Sequence, residues 1–389
     1  MNTFIGIIIA IVGLGFLVLV HEFGHFIVAK ATGMRVEEFS LGFGPFIVSK
    51  RIGETVYGIS AVPLGGYVRV TGMHKEEFDQ RVAEARESES EERERRARRS
   101  PQDPEDRLAG KRALSADDIA ATPLARRYYA HPFWHKILFI VAGVTMNMIV
   151  AFLIVWGVSA QQGETVYTTV VAEVQAGMPA DAAGMKVGDR IVSVDGKPTN
   201  SFDDLHTYIV THPGQTVTIG LERDGKPVQI QATIQKQSDG TGKLGFSPSY
   251  EQHGLGFTGS FGYAGKQTGA MVTLIFKGIG MMFSGQVPVT GSQGLAGPVG
   301  IIQISEQAYQ GGYYWMLLAL ISVNLAILNM IPLLPLDGGH ALFSVIERIR
   351  GRSLSLRMFE RISMIGLGLF LLLFLVATWN DIGRLVTIG

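Results

Sequence analysis

The stretch "GFLVLVHEFGHFIVAKATG", residues 15–33, places two imidazoles and a carboxylate inside an apolar run. His21 and His25 are four residues apart, so in a helix they share one face. Two imidazoles at this spacing can bind one Zn²⁺, and Glu22 can accept a proton from a water that the metal activates. The same pattern in a soluble helix is weak evidence. Inside an apolar span, ionisable side chains are costly and usually functional, so the pattern predicts a metallopeptidase site.

A catalytic zinc needs a third protein ligand. The chain has no cysteine, so that ligand must be a histidine or a carboxylate. The best candidates lie in "NLAILNMIPLLPLDGGHALF", residues 324–343, where Asp337 is one possible ligand and His340 is its rival. Pro332 and Pro335 interrupt the helical pattern before Asp337, and the glycines after it permit a close approach to a metal. The residue pattern alone leaves both ligands open.

Composition indicates the environment of these residues. Of the 389 residues, 47% are hydrophobic and the net charge is zero, so charge gives no reason to expect a nucleic-acid partner. A helix needs about 20 apolar residues to cross a bilayer. Four runs meet this length and predict an integral membrane protein: Phe4–Ala29, Trp134–Gln161, Tyr313–Leu334 and Ile362–Trp379.

The distribution of Lys and Arg predicts the orientation of the spans. Residues 31–132 carry 17 of the 34 basic residues, and the short loop 347–361 carries five arginines. Residues 162–312 carry only nine. The positive-inside rule then places the first and third connections in the cytoplasm, and the long middle segment and both termini outside. The first run lacks the basic start and the cleavage site of a signal peptide, so it is predicted to be retained.

The connections differ in character. Residues around 36–72 are rich in Val, Ile, Phe and Tyr with a turn near Gly53, which predicts a β-ribbon. Residues 75–118 carry mixed charge, which favours a solvated helix or a disordered spacer; a partner-binding insert is the alternative. In the middle segment, short β-branched runs alternate with turns, and a helix is predicted to open at Ser201. His131 and His135 are predicted to lie at the membrane interface rather than to bind metal.

The predicted organisation follows from these observations. The N-terminal half comprises the first span with His-Glu-x-x-His at 1–33, the ribbon at 34–73, a charged cytoplasmic insert at 74–125, and an interfacial segment with the second span at 126–161. A PDZ-like domain at 166–238 and a Gly-rich linker with an amphipathic segment at 239–312 follow. The C-terminal part comprises the third span with an Asp-Gly motif at 313–341, a cytoplasmic loop at 342–361 and the fourth span at 362–389.

Together these motifs resemble the site-2 protease family of intramembrane zinc metalloproteases, and in particular its regulator-of-sigma-E protease type. "HEFGH" matches the family's His-Glu-x-x-His, "NMIPLLPLDGG" its Asn-x-x-Pro…Asp-Gly motif, and "GVTMN" its Gly-x-x-x-Asn motif. "PLGGYV" is similar to the family's β-ribbon, and "GPVGI" to a motif before the third span. The segment "GMPADAAGMKVGDRIVSVDG" resembles a PDZ domain, of which the chain has a single copy, whereas many members have two.

The resemblance implies a polytopic α-helical membrane protein with four transmembrane helices, a membrane-associated β-ribbon and an extracytoplasmic PDZ-like α+β domain, located in the bacterial inner membrane. It implies the following roles: His21, His25 and Asp337 as ligands of Zn²⁺, Glu22 as the general base, and Asn329, Asn147, Gly65, Gly66 and Tyr67 as residues that contact substrate.

The implied activity is zinc-dependent cleavage within or near the transmembrane segments of single-span membrane proteins, such as anti-sigma-factor-like regulators or remnant signal peptides. The implied partners are these substrates, membrane lipid and peptide termini on the PDZ-like domain, with no nucleic acid. Two other classes fit parts of the pattern: a transporter with broken helices, and a non-catalytic scaffold that presents the PDZ-like domain. Loss of proteolysis on replacing Glu22 with glutamine would separate the protease from both.

Overall fold

The structure is a computed structural model, and it describes residues 2–73, 75–76, 78–80, 82–83, 86–87, 90, 116–237, 240–285, 296–352 and 354–388. The helices, numbered in chain order, are α1 Asn2–Ala31, α2 Ala116–Ala120, α3 Phe133–Gln162, α4 Pro179–Ala182, α5 Phe202–Thr211, α6 Gly256–Phe283, α7 Pro298–Gln310, α8 Tyr314–Asn329, α9 Asp337–Arg350 and α10 Leu356–Ile388. The strands are β1 Val36–Ile52, β2 Thr55–Val70, β3 Glu164–Val174, β4 Arg190–Val194, β5 Lys197–Pro198, β6 Thr216–Arg223, β7 Lys226–Thr233, β8 Gln235–Lys236, β9 Gly242–Lys243 and β10 Phe246–His253.

The chain forms two compact units. One comprises residues 1–155, 267–280 and 288–389 and holds the apolar helices and the β1–β2 ribbon. The other comprises residues 156–266 and 281–287 and holds the six-stranded sheet.

Within the described residues, three helices are long and apolar enough to cross a membrane: Gly6–Ala31, Phe133–Gln162 and Leu356–Arg384. They correspond to the predicted first, second and fourth spans. The predicted third span is a shorter apolar helix, α8, which has 16 residues and ends at Asn329. The chain then leaves helical geometry until α9 begins at Asp337, because Pro332 and Pro335 cannot continue the hydrogen-bond ladder of a helix.

The ribbon differs from a simple hairpin in that part of β1 pairs with two separate stretches of β2. Leu41 lies opposite both Gly66 and Ile59, and Val48 also lies opposite Ile59. Residues 38–41 are therefore flanked on both sides, and residues 66–70 form an outer edge of the ribbon. No other strand in the described part of the chain pairs with that edge.

Glu54, in the turn of the ribbon, ties the ribbon to the end of α1. Its carboxylate lies 2.7 Å from Nη1 of Arg126 and 2.8 Å from Nζ of Lys30. Hydrogen bonds from Arg126, and then those from Lys30, hold the pKa of Glu54 at about 2. The carboxylate is therefore ionised at neutral pH, and the turn stays beside the last turn of the helix that carries His21 and His25.

The second unit is built around a sheet of strand order β10-β3-β4-β6-β7, with β5 paired to β4. Helix α5 packs Leu205 and Ile209 into a core that includes Ile191 and Ile219. The predicted helix start is confirmed, since the Ser201 hydroxyl accepts a hydrogen bond from the backbone N–H of Asp204 at 3.2 Å.

The sheet of this unit continues past residue 238, where the PDZ-like domain was predicted to end. Strand β10 lies in the segment predicted as a linker, yet it pairs with β3 at the edge of the sheet. The strand was missed because an edge strand need not alternate apolar and polar residues, and "FSPSYEQH" does not. The predicted amphipathic segment lies within α6, a helix of 28 residues.

The charged insert predicted at 74–125 falls mainly outside the described residues. Its described C-terminal end is attached to the start of the ribbon, where Arg35 donates to the hydroxyl of Thr122 at 2.6 Å. The arginine is buried, so this contact fixes the end of the insert beside β1.

A buried carboxylate joins α10 to the start of α7. Asp381 is 2% exposed and accepts hydrogen bonds from the backbone N–H groups of Gly297, at 3.1 Å, and Gly300, at 2.9 Å. A Cβ atom on Gly297 would lie 2.7 Å from one carboxylate oxygen, and one on Gly300 would lie 2.9 Å from the other. The glycines of "GPVGI" therefore make room for an anion at a helix N-terminus, where the helix dipole favours it.

We expect Asp381→Ala to destabilise the protein by roughly 2–6 kcal/mol, since two buried backbone donors would lose their acceptor at a cost of about 1–3 kcal/mol each. Thermal unfolding in detergent measures the effect. Asp381→Asn keeps one acceptor oxygen, so its stability should lie between those of the parent and Asp381→Ala. Glu251→Ala, at an exposed position, serves as the control. An Asp381→Ala protein as stable as the parent would contradict this reading of the contact.

Candidate active site

Helix α1 presents His21 and His25 on its buried face. The two residues are 6% and 5% exposed, and their rings meet edge to face with centroids 4.8 Å apart. Helix α3 approaches this face closely, because a Cβ atom on Gly24 would lie 2.5 Å from the carbonyl oxygen of Ala142. The absence of a side chain at Gly24 thus brings α3 against the two imidazoles.

Asp337 reaches the same point from the other end of the chain. It is the first residue of α9, and its Oδ2 lies 3.0 Å from Nε2 of His21 and 3.3 Å from Nε2 of His25. The two Nε2 atoms are 3.2 Å apart. The cluster of His21, His25 and Asp337 is the group that could hold a metal ion among the described residues.

The donor set fits zinc. Ligand atoms at 2.0–2.1 Å from a tetrahedral Zn²⁺ are separated by about 3.3 Å, and the three observed separations are close to this value. Oδ2 of Asp337 is buried without a hydrogen-bond partner. Gly143 of α3 keeps the space beside these atoms open, since a Cβ atom there would lie 2.5 Å from Nε2 of His25 and 2.7 Å from Nε2 of His21.

The second nitrogen of each imidazole has a partner on α3. Nδ1 of His25 donates to the carbonyl oxygen of Phe139 at 2.8 Å, which leaves the lone pair of Nε2 directed at the cluster. The amide nitrogen of Asn147 lies 3.3 Å from Nδ1 of His21, and the amide oxygen of Asn147 is buried without a partner. Rotation of this amide by 180° presents the oxygen as an acceptor for Nδ1–H of His21 and frees its Nε2 in the same way.

Glu22 faces the outer edge of the ribbon. A Cβ atom on Gly66 would lie 3.3 Å from Cγ of Glu22 and 2.8 Å from the carbonyl oxygen of Ser40. The backbone of Val68 is within hydrogen-bonding reach of the Glu22 carboxylate. The sequence placed Glu22 beside the histidines, but its position against a strand edge appears only in the structure.

The ribbon residues next to Gly66 are fixed by contacts within the ribbon itself. Gly65 has φ +101°, and a Cβ atom on it would overlap the ring of Phe43. Tyr67 stacks on Phe43 with ring centroids 6.2 Å apart, and its hydroxyl donates to Glu38 at 2.8 Å. Burial, together with the Glu38 carboxylate, raises the pKa of Tyr67, so it remains a neutral phenol at physiological pH.

Two other polar residues of the sequence motifs are not among the three clustered residues. Asn329 is the last residue of α8, and within the described residues it makes no hydrogen bond to His21, His25 or Asp337. His340 is not one of the clustered ligands; its ring packs against Phe359 with centroids 5.5 Å apart. It also lines a separate cavity of about 180 Å³. His340 follows Asp337 by three residues, so it lies about 4.5 Å further along the axis of α9, where its ring meets Phe359 of α10.

Residues 9–373 match the model of peptidase family M50. The chain belongs to this family. Among its relatives in the family, the zinc metalloprotease RasP of Shouchella clausii is 32% identical over 95% of this chain and 96% of that protein. The regulator of sigma-W protease RasP of Bacillus subtilis is 29% identical, and the alignment covers 99% of each chain. A PDZ domain of an SdrC-like protein from Listeria monocytogenes is 28% identical over 21% of this chain and 85% of that one, with a TM-score of 0.19.

Membership of family M50 confirms the predicted enzyme class. The chain is a membrane-bound zinc metalloprotease of the site-2 type, and Zn²⁺ is its metal. The metal-ligand chemistry of the His21, His25 and Asp337 cluster agrees with this assignment.

Proposed function

We propose that this M50 peptidase cleaves single-span membrane proteins within or near their transmembrane segments, at a zinc held by His21, His25 and Asp337. The observation that carries the proposal is the meeting of three ligand atoms within 3.3 Å of one another, with Glu22 beside them and a strand edge beside Glu22. A metal, a general base and a surface for an extended peptide are the parts that peptide hydrolysis needs.

The protein groups then act as follows. Zinc, when bound, supplies a Lewis acid that polarises a carbonyl group and lowers the pKa of water towards neutrality. The Glu22 carboxylate takes a proton from the attacking water and gives it to the leaving amine. The Phe139 carbonyl and Asn147 keep Nδ1 of each histidine engaged, so both Nε2 atoms point at Asp337. We therefore assign Asn147 to orienting the His21 ring, with which it is in contact, rather than to binding substrate.

A substrate helix conceals its carbonyl groups in its own hydrogen bonds, so it must unwind before attack. The ribbon edge formed by residues 66–70 lies next to Glu22 and pairs with no other strand among the described residues, so an extended segment can add to it as a strand. Gly65, Gly66 and Tyr67 shape that edge. Asn329, at the end of α8, is assigned to hold a backbone group of the same segment.

Topology completes the proposal. With α8 as a fourth, short span, the Arg-rich stretch 347–361, where α9 ends and α10 begins, lies in the cytoplasm, and the six-stranded unit lies outside a bacterial inner membrane. That unit is assigned as a PDZ-like domain that contacts peptide termini or limits access. The name of the Bacillus subtilis relative, a regulator of sigma-W protease, supports regulators of the anti-sigma-factor type as substrates; remnant signal peptides are the second class.

The test is to map the cut. The purified protein is incubated in detergent with a tagged single-span substrate, and the masses of both products locate the cleaved bond. We expect cleavage within the apolar span, abolished by a zinc chelator and restored by Zn²⁺. Cleavage confined to the soluble tails of the substrate would contradict an intramembrane site.

The ribbon edge at Gly66 can be tested separately from the metal site. We expect Gly66→Val to lower cleavage at least about 10-fold with zinc content unchanged, because the side chain would occupy the space between the strand edge and Glu22. The rate with a single-span substrate and the zinc content per chain are measured together. Gly254→Val is the control, since a Cβ atom there meets nothing within 4 Å. Loss of zinc in Gly66→Val would withdraw support for a substrate role of the ribbon.

A further inference from the structure

The loop that delivers Asp337 to the histidines is compact. Leu333 N–H donates to the carbonyl oxygen of Ile331 at 2.7 Å, and Leu336 N–H donates to that of Leu333 at 2.9 Å. On the α9 side, a Cβ atom on Gly339 would lie 2.5 Å from the backbone nitrogen of Leu334. Helix α9 is therefore in backbone contact with residues 330–336, and a movement of this loop moves Asp337 with it.

Helix α10 supports the other side of the loop. Leu334 is 1% exposed and packs in a cluster with Phe343 of α9 and with Phe359 and Ile362 of α10. Phe359, Ile362 and Gly366 follow at intervals of three and four residues, so they share one face of α10. This face of the last helix lies against the loop that carries the metal-binding carboxylate.

Gly366 is the point of closest approach. A Cβ atom on it would overlap the carbonyl oxygen of Leu334 and lie 2.8 Å from the carbonyl carbon. These atoms are backbone and cannot rotate away, so a methyl group would displace the loop or α10 by on the order of 1 Å. Gly368 is two residues further along the same helix, and a Cβ atom on it would have nothing within 4 Å.

We propose that Gly366 is a positioning residue for Asp337: α10 rests backbone to backbone on Leu334, and this contact sets where the third metal ligand lies. The proposal depends on the proposed ligand set. Oδ2 of Asp337 lies 3.0 and 3.3 Å from two imidazole nitrogens that are fixed by α1 and α3. A displacement of the loop therefore moves Oδ2 of Asp337 while the two imidazole nitrogens stay in place. The ligand geometry is then distorted, and the affinity for zinc falls.

The experiment measures zinc release from the full-length, zinc-loaded protein to a chromophoric chelator, together with kcat and KM for a single-span substrate. We expect Gly366→Ala to release zinc about 10–100-fold faster and to lower kcat by a similar factor, with KM within about twofold. Gly368→Ala is the matched control and should stay within about twofold of the parent in all three quantities. The absorption spectrum of the Co²⁺-substituted protein should change in Gly366→Ala alone, because it reports ligand geometry.

A second variant covers the case in which Gly366→Ala does not fold. Ile362→Ala removes packing from the same face of α10 without adding an atom at the contact, and it should also speed zinc release. Its control is Ile365→Ala, a residue that is 70% exposed. Release at the control rates from both Gly366→Ala and Ile362→Ala would overturn the inference.

Asp337→Ala separates this inference from the function on which it rests. If Asp337→Ala loses zinc while the Gly366 and Ile362 variants behave as their controls do, the ligand set stands and only the role of Gly366 is wrong. If Asp337→Ala holds zinc as tightly as the parent, the proposed ligand set and the positioning role both fail.

Discussion

Glu22→Gln is expected to lower the cleavage rate by about 10²–10⁴-fold while the protein still binds one zinc per chain. The amide has the size of the carboxylate but cannot take a proton from water. His21, His25 and Asp337 are unchanged, so the metal site should remain. The rate of cleavage of a single-span substrate and the zinc content of the same preparation are the two measurements.

The control for this variant is Glu251→Gln, a substitution of the same chemistry at an exposed position of β10. It should cleave at the parental rate. A Glu22→Gln protein that cleaves normally would remove Glu22 as the general base and leave the carboxylate with a structural role at the ribbon edge. If Glu22→Gln loses zinc instead, its inactivity says nothing about proton transfer, and the assignment of Glu22 would have to rest on another variant.

Gly143→Ala is expected to abolish zinc binding and, with it, proteolysis. The added methyl carbon would lie 2.5 Å from Nε2 of His25 and 2.7 Å from Nε2 of His21, where it competes with a metal that needs to approach both atoms to 2.0–2.1 Å. Alanine favours a helix interior over glycine by about 1 kcal/mol, so loss of the helix is not the expected cause. Zinc content after dialysis against a metal buffer, together with helix content by circular dichroism, measures the effect.

Gly157→Ala is the matched control in the same helix. A Cβ atom at Gly157 has nothing within 4 Å, so this variant should bind zinc and cleave substrate as the parent does. A Gly143→Ala protein with a full complement of zinc would show that the metal does not lie beside this face of α3. The proposed use of His21 and His25 through their Nε2 atoms would then be wrong.

The enzyme class and two of the three proposed metal ligands could be predicted from the sequence, because the motifs that indicate them depend on local spacing. A separation of four positions places His21 and His25 on one helical face, whatever the rest of the chain does. Apolar runs of sufficient length identify membrane spans by the same local logic, and three of them are confirmed as helices long enough to cross a bilayer. The motif resemblance to a known protease family agreed with the family match over residues 9–373.

The pattern could not choose between Asp337 and His340, since both are good ligands and stand three residues apart. That choice depends on where α9 begins and how it packs. The structure starts the helix at Asp337, so this side chain meets α1 while His340, one turn later, meets Phe359 of α10. Similarly, β10 was missed because its pairing with β3 depends on a distant strand rather than on its own residues.

The residue types and spacing of His21, Glu22 and His25, inside an apolar helix, were enough to predict metallopeptidase chemistry. Which distant atoms meet this triplet depends on the packing of the helices and of the ribbon. The carboxylate of Asp337, the empty position at Gly143 and the strand edge at Gly66 come from three separate elements. Their convergence depends on helix packing at glycines, where the missing side chain lets backbones approach, and spacing along the chain does not encode which glycine faces which neighbour.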